Sequence, residues 1–267
     1  MIDAELRGKL GAGFSRAHER AEDLLTSTVF GLLRYIDWAC GVGAIVQRAR
    51  VASLCGGAAI LRSDPGWLGV EAVSGRVMLW PPAGPFGQPD VFVTLLDRHG
   101  AATAEVIFEV KLFSGKSSVA GADVDVATTR PADVDPDQLV RYWQWLASRS
   151  KASTSVIKAL VYLTAHAIPP LDDLSESLHR APAMRLAWLS WRDVWMVAQA
   201  CRDSLPAEDL TRLLAHRGLS WFDGFASSST PVAFSERRFW QGACWFAPAA
   251  AEGLEDECLL QRFWRHI

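Results

Sequence analysis

Residues 87–115 read GQPDVFVTLLDRHGAATAEVIFEVKLFSG. Two strand-like runs flank a turn signal at Arg98-His99-Gly100-Ala101. A two-residue loop at His99-Gly100 sets Arg98 opposite Ala101 and brings Asp90 opposite Glu109. One face of the hairpin then carries Val91, Val93, Leu95, Val106, Phe108 and Val110, all apolar. The other carries Asp90, Phe92, Thr94, Leu96, Glu105, Ile107, Glu109 and Lys111. A slip of one residue would scramble that separation. A slip of two would keep it, so direct opposition of Asp90 and Glu109 is one of two registers. Either way, Asp90, Glu109 and Lys111 gather at the end far from the turn. Buried charges are costly unless something uses them.

Two carboxylates on facing strands, with Cβ atoms about 4.5–5.5 Å apart, repel and shift each other's pKa. A divalent cation between them removes the conflict. Oxygen-only ligands suit a hard ion such as Mg²⁺ (or Mn²⁺), and the Val110 carbonyl could add one more. A lysine beside such an ion makes sense when an anion, such as a phosphate, completes the cluster. That combination suits phosphodiester hydrolysis.

The rest of the chain supplies context. Its 267 residues, half of them apolar, suffice for one large domain or one domain with an appendage. No apolar run reaches membrane-span length and the first residues lack a signal-peptide core, so a soluble cytoplasmic protein is expected, with no membrane partner. The five cysteines include no CxxC pair and are read as small buried hydrophobes. The six histidines show no ligand spacing. Net charge is −3, and residues 119–137 alone carry −4, leaving the remainder at +1. That balance counts against a broad basic groove but not against a compact charged site.

Periodicity predicts helices over 16–37 and about 38–50, one or two strands before the Pro81-Pro82 loop, and strands near 90–96 and 104–113. Residues 114–135 read as a loop. Asp135-Pro136-Asp137-Gln138 reads as a helix start, with Asp135 as N-cap. Asp133, Asp135 and Asp137 alternate as in a calcium loop but lack its glycine and closing glutamate, so turn and capping roles are expected. Then come buried strands at "IKALVYLTAH" and "RLAWLSW", a helix over 192–203, a helix ending at Gly218 and another near 252–265. The expected fold is α/β with a mixed sheet: a domain over 1–203 and a helical extension over 204–267.

In that order, "QPD", a hairpin, "EVK" and then "QLVRY" on a helix resemble the PD-(D/E)xK nuclease superfamily, closest to its RecB-like branch with a QxxxY motif. The resemblance covers about residues 16–200. It implies a restriction-endonuclease-like core, helix, strands, helix, strand. It implies that Asp90 and Glu109 bind Mg²⁺ and that Lys111 orients or activates water and stabilises charge. Gln138 and Tyr142 would position the scissile strand or the lysine. Glu22 matches an acid that some branches place near the metal; it is preferred to Asp23 because it shares a face with Thr26, Val29 and Leu33. Lys116 is a candidate phosphate contact. The implied activity is Mg²⁺-dependent cleavage of DNA, as an endonuclease or another nuclease, in repair or in antiviral defence. A homo-oligomer or partner protein would help such a near-neutral chain embrace DNA. The alternatives are a catalytically silent nuclease-fold subunit and a hydrolase of another phosphoester.

Overall fold

The computed structural model describes residues 17–112, 134–149, 156–201 and 204–221. Lys116, the loop over 114–133 and the helix expected near 252–265 lie outside these residues, as does all of 222–267.

The described chain is an α/β fold built on one seven-stranded mixed sheet. Its strands are β1 (Arg50–Cys55), β2 (Ala58–Ser63), β3 (Ser74–Leu79), β4 (Val91–Leu96), β5 (Ala102–Lys111), β6 (Ile157–Thr164) and β7 (Leu186–Ser190). Their spatial order is β2-β1-β7-β6-β5-β4-β3. The central β5, β6 and β7 run parallel; all other neighbours are antiparallel. Parallel strands covered on both faces read as nearly unbroken apolar runs, as "ALVYLT" and "LAWL" do.

Among the described residues, six helices cover the sheet: α1 (Ala17–Leu33), α2 (Val42–Arg48), α3 (Gln138–Ser148), α4 (Leu171–Arg180), α5 (Trp191–Ala200) and α6 (Leu205–His216). On one face, Leu25, Val29, Phe30 and Leu33 of α1 pack with Val93, Val106, Phe108 and Val110, and α2, α5 and α6 extend that layer. On the other, Leu139, Tyr142, Trp145 and Leu146 of α3 pack with Phe92, Ile107, Leu160 and Tyr162, beside Leu174 and Leu178 of α4. Helix α6 belongs to the same compact unit as the sheet, which runs to Phe222. Among the described residues, no helix is long and apolar enough to cross a membrane.

The decisive hairpin keeps the predicted register by a different route. The turn is a three-residue loop: the Gly100 amide donates to the Asp97 carbonyl (3.0 Å) and the Asp97 amide to the Ala101 carbonyl (2.9 Å), with Gly100 at φ +77°. Asp97 Oδ1 also accepts from the His99 and Ala101 amides, and these bonds, the Ala101 one foremost, hold its carboxyl below the usual range. Leu96 therefore pairs with Ala102, one step off the predicted register. A bulge at Thr103 restores the count, so Leu95 faces Ala104 and Val91 faces Phe108. The bulge offsets the longer turn, and Asp90 falls just beyond Val91 at the level of Glu109.

Other expectations need correction. The N-cap of α3 is Asp137, whose Oδ1 accepts from the Leu139 and Val140 amides. Asp135 instead makes an Asx turn, accepting from the Asp137 amide at 2.7 Å. The hairpin β1–β2, closed by Gly56 and Gly57 at positive φ, was not foreseen. Helix α4 was not foreseen. Among the described cysteines, Cys201 is buried while Cys40, in a turn, and Cys55, at the exposed end of β1, are not.

Asp137 also accepts from the buried Ser177 hydroxyl of α4 at 2.9 Å, joining the two helices on one face. Asp137→Ala is expected to lower unfolding free energy by about 1–2 kcal/mol, with Asp135→Ala costing less. Urea titration of both variants checks which aspartate is the cap.

Candidate active site

The site lies where three supports meet at the carboxyl end of β5. Strand alternation puts Glu109 and Lys111 on the α3 face, while Phe108 and Val110 turn to α1. Asp90 follows Pro89, which has no amide to donate to a sheet. Its carbonyl accepts from the Trp80 amide (2.9 Å) and its Oδ2 from the Val110 amide (2.9 Å), so it is tied to both neighbouring strands. In a strand, amide and carbonyl of one residue leave on the same side, so the Val110 carbonyl also faces the Asp90 side. Trp80 is buried at φ +48°, the one described non-glycine residue at positive φ. Such backbone strain persists where surrounding packing over-determines it.

Glu22 enters from α1, one turn before Leu25. Its Oε2 accepts from the Leu112 amide at 2.7 Å and its Oε1 lies 3.4 Å from Lys111 Nζ. Lys111 Nζ is 2.8 Å from Glu109 Oε1. That contact is a charge pair, and among the described residues Glu109 Oε2 has no hydrogen-bond partner. All three central side chains are buried: Asp90 is 8 %, Glu109 1 % and Lys111 7 % exposed.

From α3, Gln138 Nε2 donates to the Tyr142 hydroxyl (3.1 Å), which donates to the Gln88 carbonyl (3.2 Å). Gln138 opens the helix at its first position, so it is no capping partner of Asp135. Instead this relay braces the segment just before Asp90. Gln88 itself donates to the Trp80 carbonyl at 3.1 Å. The structure thus brings together Glu22, Asp90, Glu109, Val110, Lys111, Gln138 and Tyr142.

Sequence reading missed Gln88 and Trp80, which position Asp90, and Tyr162, the register partner of Glu109. Tyr162 donates to Asp173 at 3.4 Å. Gln88 stood in the "QPD" motif and could have been found there; Asp173 had no signal, because its helix was not foreseen.

The electrostatics are unbalanced. Among the described residues, three carboxylates surround one ammonium. Burial, then Asp90, pushes the Glu109 carboxyl well above the usual range, against the pull of Lys111. Burial also raises Glu22, opposed by Lys111 and the Leu112 amide. For Lys111, burial favours the neutral amine, but Glu109, Asp90 and Glu22 together outweigh it and raise its pKa. Tyr142 is raised by burial and by Glu109 and Asp90, so it remains a neutral donor.

Among the described residues, no three His, Cys, Asp or Glu side chains form a ready-made metal cluster. The donor set nevertheless fits a hard divalent ion. Asp90, the unmet oxygen of Glu109 and the Val110 carbonyl supply oxygens only, and Mg²⁺ completes its shell with water and phosphate oxygens. Searches by family model, by sequence and by structure find no significant match.

A carboxyl whose folded pKa is raised adds stability that is full below its unfolded pKa and is lost as pH rises through its folded pKa. In metal-free buffer the protein is therefore expected to lose stability as pH climbs through the raised Glu109 value. Glu109→Gln, which leaves Lys111 with Glu22 and Asp90, should flatten that fall and be at least as stable at pH 7. Urea midpoints from pH 4 to 8 in EDTA check this; a variant clearly weaker at pH 7 would contradict it.

Proposed function

We propose that the protein is a Mg²⁺-dependent nuclease of the PD-(D/E)xK type, hydrolysing phosphodiester bonds in DNA, with a restriction-endonuclease-like core. The observation that carries this reading is the convergence of six separated side chains, from Glu22 to Tyr142, at one strand end. They surround a buried Glu109 oxygen that has no hydrogen-bond partner among the described residues.

In this reading Asp90, Glu109 and the Val110 carbonyl hold the ion, with Glu22 completing its surroundings directly or through water. The ion supplies Lewis acidity and a more acidic water. Lys111 stays protonated among its carboxylates, which makes it a donor to the phosphate rather than a base. Its ammonium stabilises the charge that grows on the phosphate oxygens and orients the attacking water. Water oxygen bonds to phosphorus, the P–O ester bond breaks, and the leaving oxygen takes up a proton. Gln138 and Tyr142 keep the Gln88–Asp90 segment in place and offer polar groups to the strand. Gln138 donates to Tyr142 while Asp137 caps the helix, and Lys111 is buried against Glu22 and Glu109 rather than solvated at a sheet edge.

Incubation of the full chain with labelled single- and double-stranded DNA, with Mg²⁺, Mn²⁺ or EDTA, tests the reading. Metal-dependent cleavage is expected, falling by a factor of about 100 or more in Asp90→Ala and in Lys111→Ala. Tyr142→Phe should lose less, because it removes only the brace. Circular dichroism guards against loss of fold. Equal product from wild type and both site variants would sink the proposal; no product from any of them would favour a silent subunit, and turnover of nucleotides alone another phosphoesterase.

A further inference from the structure

The carboxyl edge of the sheet continues beyond the carboxylates. Lys111 is the register partner of Thr164, and Thr164 of Ser190. Arg50, at the start of β1, pairs with Trp188. Strands β5, β6, β7 and β1 therefore meet this edge in order, and three steps of ~4.8 Å put β1 about 14 Å from β5.

Cations mark the way. Arg192 Nη1 donates to the Ala165 carbonyl at 2.7 Å, and the Ala165 amide donates to the Lys111 carbonyl at 3.1 Å. Further along lies a cavity of about 710 Å³ bordered by Arg48, Arg50, Asp193, Met196 and Trp221. Buried Asp193 has three tasks there. Its Oδ1 accepts from Arg48 Nε (3.3 Å), and its Oδ2 from Arg50 Nη2 (3.3 Å) and from the Ser190 amide (3.0 Å). One carboxylate thus serves two guanidiniums and completes the capping box that Ser190 opens on α5.

Both guanidiniums are held in place with donors to spare. The Arg50 guanidinium lies 4.3 Å from the centre of the Trp188 ring. Arg48 Nη2 meets the Met196 sulfur at 3.2 Å, a weak acceptor. Each fork has five N–H donors, and the described residues offer these two no other acceptor. Asp64 also borders the cavity, but it is exposed and its Oδ1 accepts from the Gly66 amide at 3.0 Å. Planar forks with free donors, fixed by an acid and a ring, match phosphate geometry. The apolar wall of Met196 and Trp221 suits the sugar and base attached to it.

We propose that Arg48 and Arg50 bind a backbone phosphate of the same DNA strand whose scissile phosphate lies at Lys111, with Arg192 between them. A span of ~14 Å is several times the rise of one nucleotide, so the two phosphates are not neighbours on the strand. The assignment rests on the nuclease reading for its register, and the test separates the two.

The test uses the full-length Glu109→Gln chain, fluorescein-labelled 20-nucleotide single strands and duplexes, and anisotropy from 50 to 300 mM salt. Adding Arg48→Gln and Arg50→Gln should weaken binding at least about tenfold and make the slope of log K against log salt shallower by about 1. If the double substitution abolishes cooperative melting, Arg48→Gln alone, at the more exposed side chain, should move affinity and slope the same way by less. Unchanged affinity and slope would overturn the assignment. So would inorganic phosphate or a mononucleotide displacing the strand at equal phosphate concentration, which would mark a free-anion site. Weakened binding without cleavage by wild type would keep the phosphate position and end the nuclease reading. Cleavage by wild type with unchanged binding by the arginine variants would do the reverse.

Discussion

The hydrogen bond from the Val110 amide to Asp90 Oδ2 joins the two halves of the candidate site. A side chain here does the work of a strand backbone, just beyond the last β4–β5 pair. Because Asp90 also receives the Trp80 amide, its carboxylate is fixed between β3 and β5 and cannot swing away. Glu109 and Lys111 leave β5 on either side of that same Val110. The spacing of Asp90, Glu109 and Lys111 is thus set by the ladder rather than by side-chain freedom. Glu22 and the Gln138–Tyr142 relay are added from opposite faces, since α1 and α3 sandwich the end of β5.

This arrangement is electrostatically poor as a piece of core. Buried carboxylates without full pairing cost several kcal/mol each in a dry interior, and the only ammonium among the described residues here is shared by three of them. A well-packed apolar cluster would serve the fold at least as well. Residues kept in such a state make sense where a cation and a phosphate complete the charge. The neighbouring Arg48, Arg50 and Asp193 group shows the opposite imbalance, one buried acid for two guanidiniums. Acid excess and base excess along one sheet edge suit a ligand that brings a cation to one and phosphates to both.

Much of this was legible in the sequence because β-hairpins obey counting. The alternation of "VFVTLL" and "AEVIFEVK" set which residues of each strand share the apolar face. The turn itself was read one residue too short, and only the Thr103 bulge, which leaves no clear mark in sequence, restored the register. Glu22 was legible from its helical phase. The cap of α3 was misread because Asp135 and Asp137 both suit an N-cap; the choice is made in space, by Ser177 across the interface. Helix α4 was missed because "LDDLSESLHR" buries only a narrow stripe at Leu174, Ser177 and Leu178. The arginine pair was invisible for a different reason: Arg50 and Asp193 are far apart in sequence, and only the β1–β7 pairing brings them together.

The account turns on whether the unpartnered oxygen of Glu109 is a metal ligand. A crystal of the full chain soaked in Mn²⁺, with anomalous scattering recorded at the manganese edge, tests this directly. The account predicts a peak between the Asp90 and Glu109 carboxylates, with the Lys111 ammonium displaced from Glu109 Oε1, and no such peak in Asp90→Ala crystals. Full Mn²⁺ occupancy elsewhere with nothing at this pair, and Lys111 still against Glu109, would contradict it.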